Sequence, residues 1–366
     1  MWIPRLRPIL LTLALAAMSG CGDSDSTPST SAPTTILLSP EGNRLDAYDA
    51  TTLQKQVVIQ NHALDPNGRD INGQVCVFPD GSRRFVTGED TNQPDPPPAW
   101  GIFQLNGSDI GALSATQIGR LVPTYQDPLS IADAYGCAFL PDGRLVTTDI
   151  GNTAFGPASG QLIMWFPPLD APAPRFCKLD VAIGTAQGVF VDQQGSIYVA
   201  SGRSGPGIYR YRAPFPSSDD AAGGCGRRDS TGMPLVDAID KQLFIRDLNI
   251  PTPSGIIQSA SGTFYVSSVI NGVIAEYSPA GQFVRRILQP VTGETRPYPS
   301  TGTPLGLAID AAGTLYYADL AITEAFEPGD GLGTVRRIRF ENGSPLAPET
   351  IDSGLDFPDG LGLLQR

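Results

Sequence analysis

The chain of 366 residues is 41% hydrophobic and only 17% charged, with 41 glycines and 34 prolines, so it can build a large core and is rich in turns. Its 37 acidic against 25 basic residues leave a net charge of −12, and no run of Lys and Arg occurs, which excludes nucleic acid as a partner. The single histidine, His62, sits in a polar Asn-His-Ala-Leu-Asp-Pro connection and reads as a solvated loop residue. A histidine dyad and a two-histidine zinc site are therefore excluded, and any chemistry must run on carboxylates, amides, hydroxyls or an oxygen-ligated metal.

The first segment, residues 1–20, reads as an export leader. Arg5 and Arg7 precede an apolar run from Ile9 to Ala17 that is too short for a stable membrane span. Met18-Ser19-Gly20-Cys21 resembles a bacterial lipobox, which implies cleavage before Cys21 and acylation of that cysteine. The alternative is an ordinary secretory signal with a free Cys21. Residues 21–34 are small and polar with no apolar period, and read as a flexible tether between lipid and domain. Gly22 after the cysteine points to the outer membrane in a cell that has one. The expectation is an exported lipoprotein held at the envelope membrane through Cys21.

Four further cysteines, Cys76, Cys137, Cys177 and Cys225, fit disulfides in an oxidising compartment and allow three pairings. Cys76 and Cys137 sit near the starts of successive similar strands, which favours 76 with 137 and leaves 177 with 225.

From residue 35 onward the chain repeats itself. Gly136-Cys-Ala-Phe-Leu-Pro-Asp-Gly143 leads into Arg144-Leu-Val-Thr-Thr-Asp149. The same phrase returns from Gly188 through Gly195 to Ser201, from Gly255 through Gly262 to Ser268, and from Gly306 through Gly313 to Asp319. An imperfect copy runs from Gly73 through Gly81 to Glu89. Each copy is an apolar strand, an Asp-Gly type turn and a strand rich in Val, Tyr and Ile, hence a β-hairpin. A third strand starts at Gly101, Gly160, Gly207, Gly272 and Gly333, and a fourth follows, as in Gln282–Leu288. Four strands recurring roughly every fifty to seventy residues make the blade of a β-propeller.

The two ends supply complementary parts of one more blade. Phe357-Pro-Asp-Gly-Leu-Gly-Leu-Leu364 reads as a first strand without its hairpin, and Thr35-Ile-Leu-Leu, Asn43 to Tyr48 and Gln56 to Ile59 read as the missing three. Pairing them closes the ring and removes two sheet edges. The fold class is therefore all-β: one six-bladed β-propeller over 35–366, its last blade closed by the C-terminal strand pairing with N-terminal strands.

At this point the sequence resembles the six-bladed propellers of the NHL-repeat and senescence-marker/gluconolactonase group. Pro304 to Asp319 and Gln187 to Ala200 carry the resemblance. In such a propeller the start of each first strand and the end of each second reach one face, and the turn between them reaches the other. Asp80, Asp142 and Asp192 fall at turns and are assigned to turn structure. The opposite, top face collects Glu89, Asp90, Tyr135, Asp149, Asn152, Gln187, Ser201, Arg203, Ser254, Asn271, Asp319 and Asp359. The resemblance to gluconolactonase-like enzymes implies a calcium ion at this mouth, polarising a lactone carbonyl beside a carboxylate that activates water. On that basis Asp359, in Pro358-Asp359-Gly360, is the candidate catalytic residue, and Asp149, Asp319, Asp359, Glu89 and Asn152 are the candidate calcium ligands. Gln187, Arg203, Ser254, Asn271 and Tyr135 form the candidate ligand rim. Where that family has Asn before a strand glycine, this chain has Gln187 and Ser254, and its Gly-Glu-Gly-Pro phrase is missing.

The pairs Arg285-Arg286 and Arg336-Arg337 read as solvated strand edges, and Trp100 and the stretch from Ala213 to Met233 read as loops able to shape a rim. Two functions compete. One is a lipid-anchored envelope protein whose top face binds a protein, glycan or small molecule. The alternative is a calcium-dependent hydrolase of lactones or esters. Side-chain oxygens converging at the channel mouth would favour the enzyme; a mouth closed by apolar side chains would favour the binder.

Overall fold

The computed structural model describes residues 35–42, 44–60, 70–90, 99–123, 133–151, 159–203 and 205–365. Cys21 with its leader and tether, His62 and Asn152 lie outside them, as does the side chain of Asp90.

Six sheets stand around one axis, each entering its blade on the innermost strand. Blade 1 begins with Asp70–Val77, blade 2 with Ala134–Phe139, blade 3 with Ala186–Val191, blade 4 with Pro253–Gln258 and blade 5 with Pro304–Ile309. Blade 6 is the composite: Gly362–Gln365 is its inner strand and pairs antiparallel with Thr35–Pro40, followed by Arg44–Asp49 and Lys55–Gln60. The sequence-based architecture holds. Among the described residues, no helix is long and apolar enough to cross a membrane.

The apolar residues are apportioned between neighbours, one cluster to each pair of adjacent blades. Ile36, Leu38, Phe85 and Phe103 join blades 6 and 1; Trp100, Ile102, Leu145 and Trp165 join 1 and 2; Leu37, Tyr48, Tyr316 and Val335 join 5 and 6. This follows from strand alternation: each blade has two apolar faces, and each must be covered by a neighbour. Trp100 is thus a core residue, fully buried and edge-on to Trp165 at 6.2 Å, rather than part of a rim.

Glycine sets how close the inner strands come. At Gly73, Gly136, Gly188, Gly255 and Gly306, a Cβ would sit 2.2–2.7 Å from the carbonyl oxygen of Tyr135, Gln187, Ser254, Leu305 and Asp359 respectively. At Gly360 it would sit 1.6 Å from the Gly73 carbonyl oxygen, which completes the circuit. Each strand glycine of the repeat therefore makes room for the backbone of the next blade, a packing requirement that no side chain can meet. In blades 1 to 5 the register between first and second strands slips across this glycine, a bulge of the kind that re-aims the residue before it.

The four cysteines form the favoured pairs, Cys76–Cys137 and Cys177–Cys225. The first joins inner strands of blades 1 and 2. The second pins the stretch after Gly207–Arg212 to the outer strand Arg175–Ile183 of blade 2, where Pro234–Leu235 and Arg227–Arg228 extend the sheet. Lys178, 1% exposed, donates to Asp229 at 2.5 Å in the same place. Burial pushes the Asp229 carboxyl up, but bonds from Lys178, Thr231 and the Met233 amide outweigh it and hold the carboxyl below its ordinary range. The stretch from Ala213 to Met233 is thus an outer brace leaving from the face opposite the candidate site, not a rim. Arg285 and Arg286 do sit on the outermost strand of blade 4, Arg286 exposed and Arg285 holding Glu276 at 2.7 Å, whereas Arg336 and Arg337 lie on an inner strand of blade 5, Arg337 holding Glu349 at 2.8 and 3.0 Å. Two disulfides are the chemistry of an oxidising, exported setting.

Candidate functional site

The bulged first strands of blades 1 to 5 bring Asn72, Tyr135, Gln187, Ser254 and Leu305, and the segment before Gly362–Gln365 brings Asp359, into a ring of pre-glycine residues about the axis. Five of them, all except Ser254, line a cavity of about 510 Å³ that opens on the top face. All six blades contribute to it.

Below, the axis is closed. Gln74 of blade 1 reaches past blade 2 to blade 3, accepting from the Val189 amide at 2.9 Å and donating to its carbonyl at 3.3 Å. Tyr135 of blade 2 donates to the Asp359 carbonyl of blade 6 at 3.2 Å. Burial holds the Tyr135 phenol well above its ordinary range, and the charges of Asp359 and Asp133 add to this, so it stays a donor. Among the described residues these two bridges floor the cavity, which has the form of a cup.

One wall of the cup is apolar. Tyr135 and Ile150 meet Val269, Leu305, Leu320 and Ile322 in a buried cluster, with Ile270 and Phe357 against it. Phe326 stands at the rim, 62% exposed, under the Arg296 guanidinium at 4.3 Å. Its loop holds Ala321 at φ 52° and Phe326 at φ 64°, left-handed values that side chains rarely adopt and that gather at functional loops. The other wall is polar: Glu41, Asp70, Asp133, Asp356 and Asp359, with Arg44 and Arg203. Glu41 is 5% exposed, and burial first, then the charge of Asp46, pushes its carboxyl up to about 9.

Of the candidate rim, Tyr135, Gln187 and Arg203 line the cup, and the candidate catalytic Asp359 lines it with them. Asp359 is 3% exposed and holds the first blade, both of its carboxylate oxygens accepting from the Gly73 amide at 2.8 and 2.9 Å. Asp149 and Asp319 do not reach the cup. They share a task with Ser201 and Ser268: each accepts from the backbone amide sixteen residues earlier, in Asp133 (2.9 Å), Thr303 (2.7 Å), Thr185 (3.4 Å) and Thr252 (3.2 Å). Asp319 also receives the Ala321 amide and the Thr334 hydroxyl, each at 2.9 Å. These acids fasten each blade's incoming loop. Glu89 turns to the outer strands, taking Gln117 at 2.8 Å and Arg120. Ser254 is fully buried, and Asn271 donates to the Asn249 carbonyl at 3.0 Å.

A calcium ion takes six to eight oxygen ligands. Among the described residues no three of His, Cys, Asp and Glu lie together, and the ring carries one carboxylate, engaged by Gly73 and beside Leu305.

Asn72, Leu305, Glu41 and the apolar wall were not anticipated. The first two were findable as the residues before the strand glycines Gly73 and Gly306; Glu41 and Ile322 lie in connections outside the repeat and carry no such mark.

No protein-family pattern and no curated protein matches the chain. Solved structures do. A chain of a nidogen/laminin complex is similar over 90% of this chain and 98% of its own, at 14% identity and a TM-score of 0.54. A luciferin-regenerating enzyme is similar over 89% and 100%, at 12% identity and 0.53. A protein of unknown function from Bacteroides caccae is similar over 92% and 100%, at 11% identity and 0.52. At these identities the likeness is one of fold, and that fold is the six-bladed β-propeller.

Proposed function

We propose that this protein binds a small organic molecule in the cup on its top face, and that a lipid on Cys21 holds that cup at the envelope membrane. The observation that carries the reading is the floored cavity of about 510 Å³ with one apolar and one polar wall. Pockets of about 300–1,000 Å³ suit small ligands, apolar surface supplying affinity and a few polar groups orientation. The mouth is not closed by apolar side chains, so the polar wall also suits the alternative, a hydrolase.

The test uses the mature chain with Cys21→Ser, screened by thermal shift against small metabolites. A ligand present at about a hundred times its Kd adds about 2.7 kcal/mol to stability. Ile270→Trp, which narrows the cup, abolishes that shift without lowering the ligand-free melting temperature. A shift that survives this substitution places the ligand elsewhere and overturns the reading. The calcium-dependent lactone hydrolase has Asp359 in the cup in its favour, and calcium titration decides it.

A further inference from the structure

The walls of the cup select for a chemical class. Asp70, Asp133, Asp356 and Asp359 line it, with the protonated Glu41, against two cations, Arg44 and Arg203, among the described residues. Arg44 lies 3.2 Å from the Asp46 carboxylate, while Asp359 accepts from the Gly73 amide and Asp356 from the Gly331 amide, so the wall keeps its excess of acids with both signs engaged. The protein's net charge of −12 acts in the same direction.

A second observation is independent of charge. Among the lining residues, the buried side-chain atoms without a hydrogen-bond partner are both Glu41 carboxyl oxygens, Asn72 Oδ1 and Gln187 Oε1. Glu41 and Asn72 are 5% and 7% exposed. All these atoms are oxygens; the protonated Glu41 carries one O–H, which leaves its other oxygen, Asn72 Oδ1 and Gln187 Oε1 as buried acceptors that call for donors. The cup is therefore short of donors. A protonated amine or guanidine brings donors and no acceptor on its charged head. The Phe326 ring at the rim already faces one guanidinium, that of Arg296, at 4.3 Å, and an aromatic face favours cations.

We propose, on the reading that the cup is a ligand site, that it takes an amphipathic organic cation. The apolar body lies against Val269, Leu305 and Ile322 of blades 4 and 5, and the ammonium, amidinium or guanidinium against the acids of blades 6, 1 and 2.

The experiment titrates the mature Cys21→Ser chain calorimetrically with two sets of probes that differ only in the head group: phenylpropylamine, phenylpropanol and phenylpropanoate, then octylamine, octanol and octanoate. The amine binds tightest in each set, by about tenfold or more over the alcohol, a difference of about 1.4 kcal/mol. Its affinity falls as salt rises, and the alcohol's does not. The double variant Asp133→Asn, Asp356→Asn keeps the side-chain shapes, weakens the amine several-fold and leaves the alcohol unchanged. Should that variant fail to fold, the wild-type ranking and its salt dependence decide alone. An alcohol or carboxylate that binds as well as its amine overturns the cation and leaves the ligand site standing. No binding by any probe at millimolar concentration overturns both.

Discussion

Asp359 and Gly73 close the ring at its axis: the last pre-glycine carboxylate grips the first strand glycine's amide with both oxygens, at 2.8 and 2.9 Å. Residues 286 apart in sequence meet here. Removing the side chain in Asp359→Ala leaves a buried amide without that acceptor, at a cost of about 1–3 kcal/mol. Urea unfolding measures it. A variant as stable as wild type would return Asp359 to a purely chemical role.

Calcium supplies the companion test. Millimolar calcium, or a chelator, leaves the melting temperature within about 1 °C, because no binding to the folded state means no mass-action gain. A larger shift that Asp359→Ala removes would restore the metal-dependent hydrolase.

The glycine circuit predicts a sharp contrast. Gly360→Ala places a methyl 1.6 Å from the Gly73 carbonyl oxygen, and the chain fails to fold or melts far lower. Gly111→Ala meets nothing within 4 Å and stays within about 0.5 kcal/mol of wild type. Circular dichroism of the two variants side by side is enough.

Much of this was legible beforehand, for a definite reason. The strand glycines, the Asp turns and the complementary ends follow from backbone requirements, and those recur with the blade. Side-chain direction does not recur in the same way. Asp149 and Asp319 end strands at the correct face, yet their carboxylates turn back to the loop amide sixteen residues earlier. Glu89 at a similar place turns to Arg120 instead. A residue's height on the propeller can be read from the repeat; whether it faces the axis depends on the bulge, which only the paired strands reveal. Ile150, Leu320 and Ile322 come just after the repeat phrase ends, where one sequence carries no period to expose them.

Glu41 gives stability a pH dependence. Buried, with no partner for its carboxyl, it keeps its proton up to about 9 when folded, against an ordinary 4.5. Between those values the folded chain binds the extra proton. The contribution of Glu41 is therefore full below pH 4.5 and is lost as pH rises through about 9. Glu41→Gln has the same shape and no titration: it is more stable than wild type at pH 8 by about 1 kcal/mol or more, and the two converge near pH 4. Paired urea melts at both pH values check the sign.

The outer brace should come loose before the ring does. Cys225→Ala removes a link and costs about 2–4 kcal/mol. Asp229→Asn, which takes the carboxylate from buried Lys178, costs about 3–5 kcal/mol. Limited proteolysis of either variant cuts first between residues 213 and 239. Cleavage starting elsewhere would show that the brace is not a separate unit.

The bond pair from Gln74 to Val189 has a kinetic meaning as well. Among the described residues this pair crosses the axis beneath the cup, so a ligand of the cup would enter and leave on the side of the top face. A second molecule cannot displace the first from behind, and a macromolecule seated across the top face would trap an occupant instead of competing with it from below.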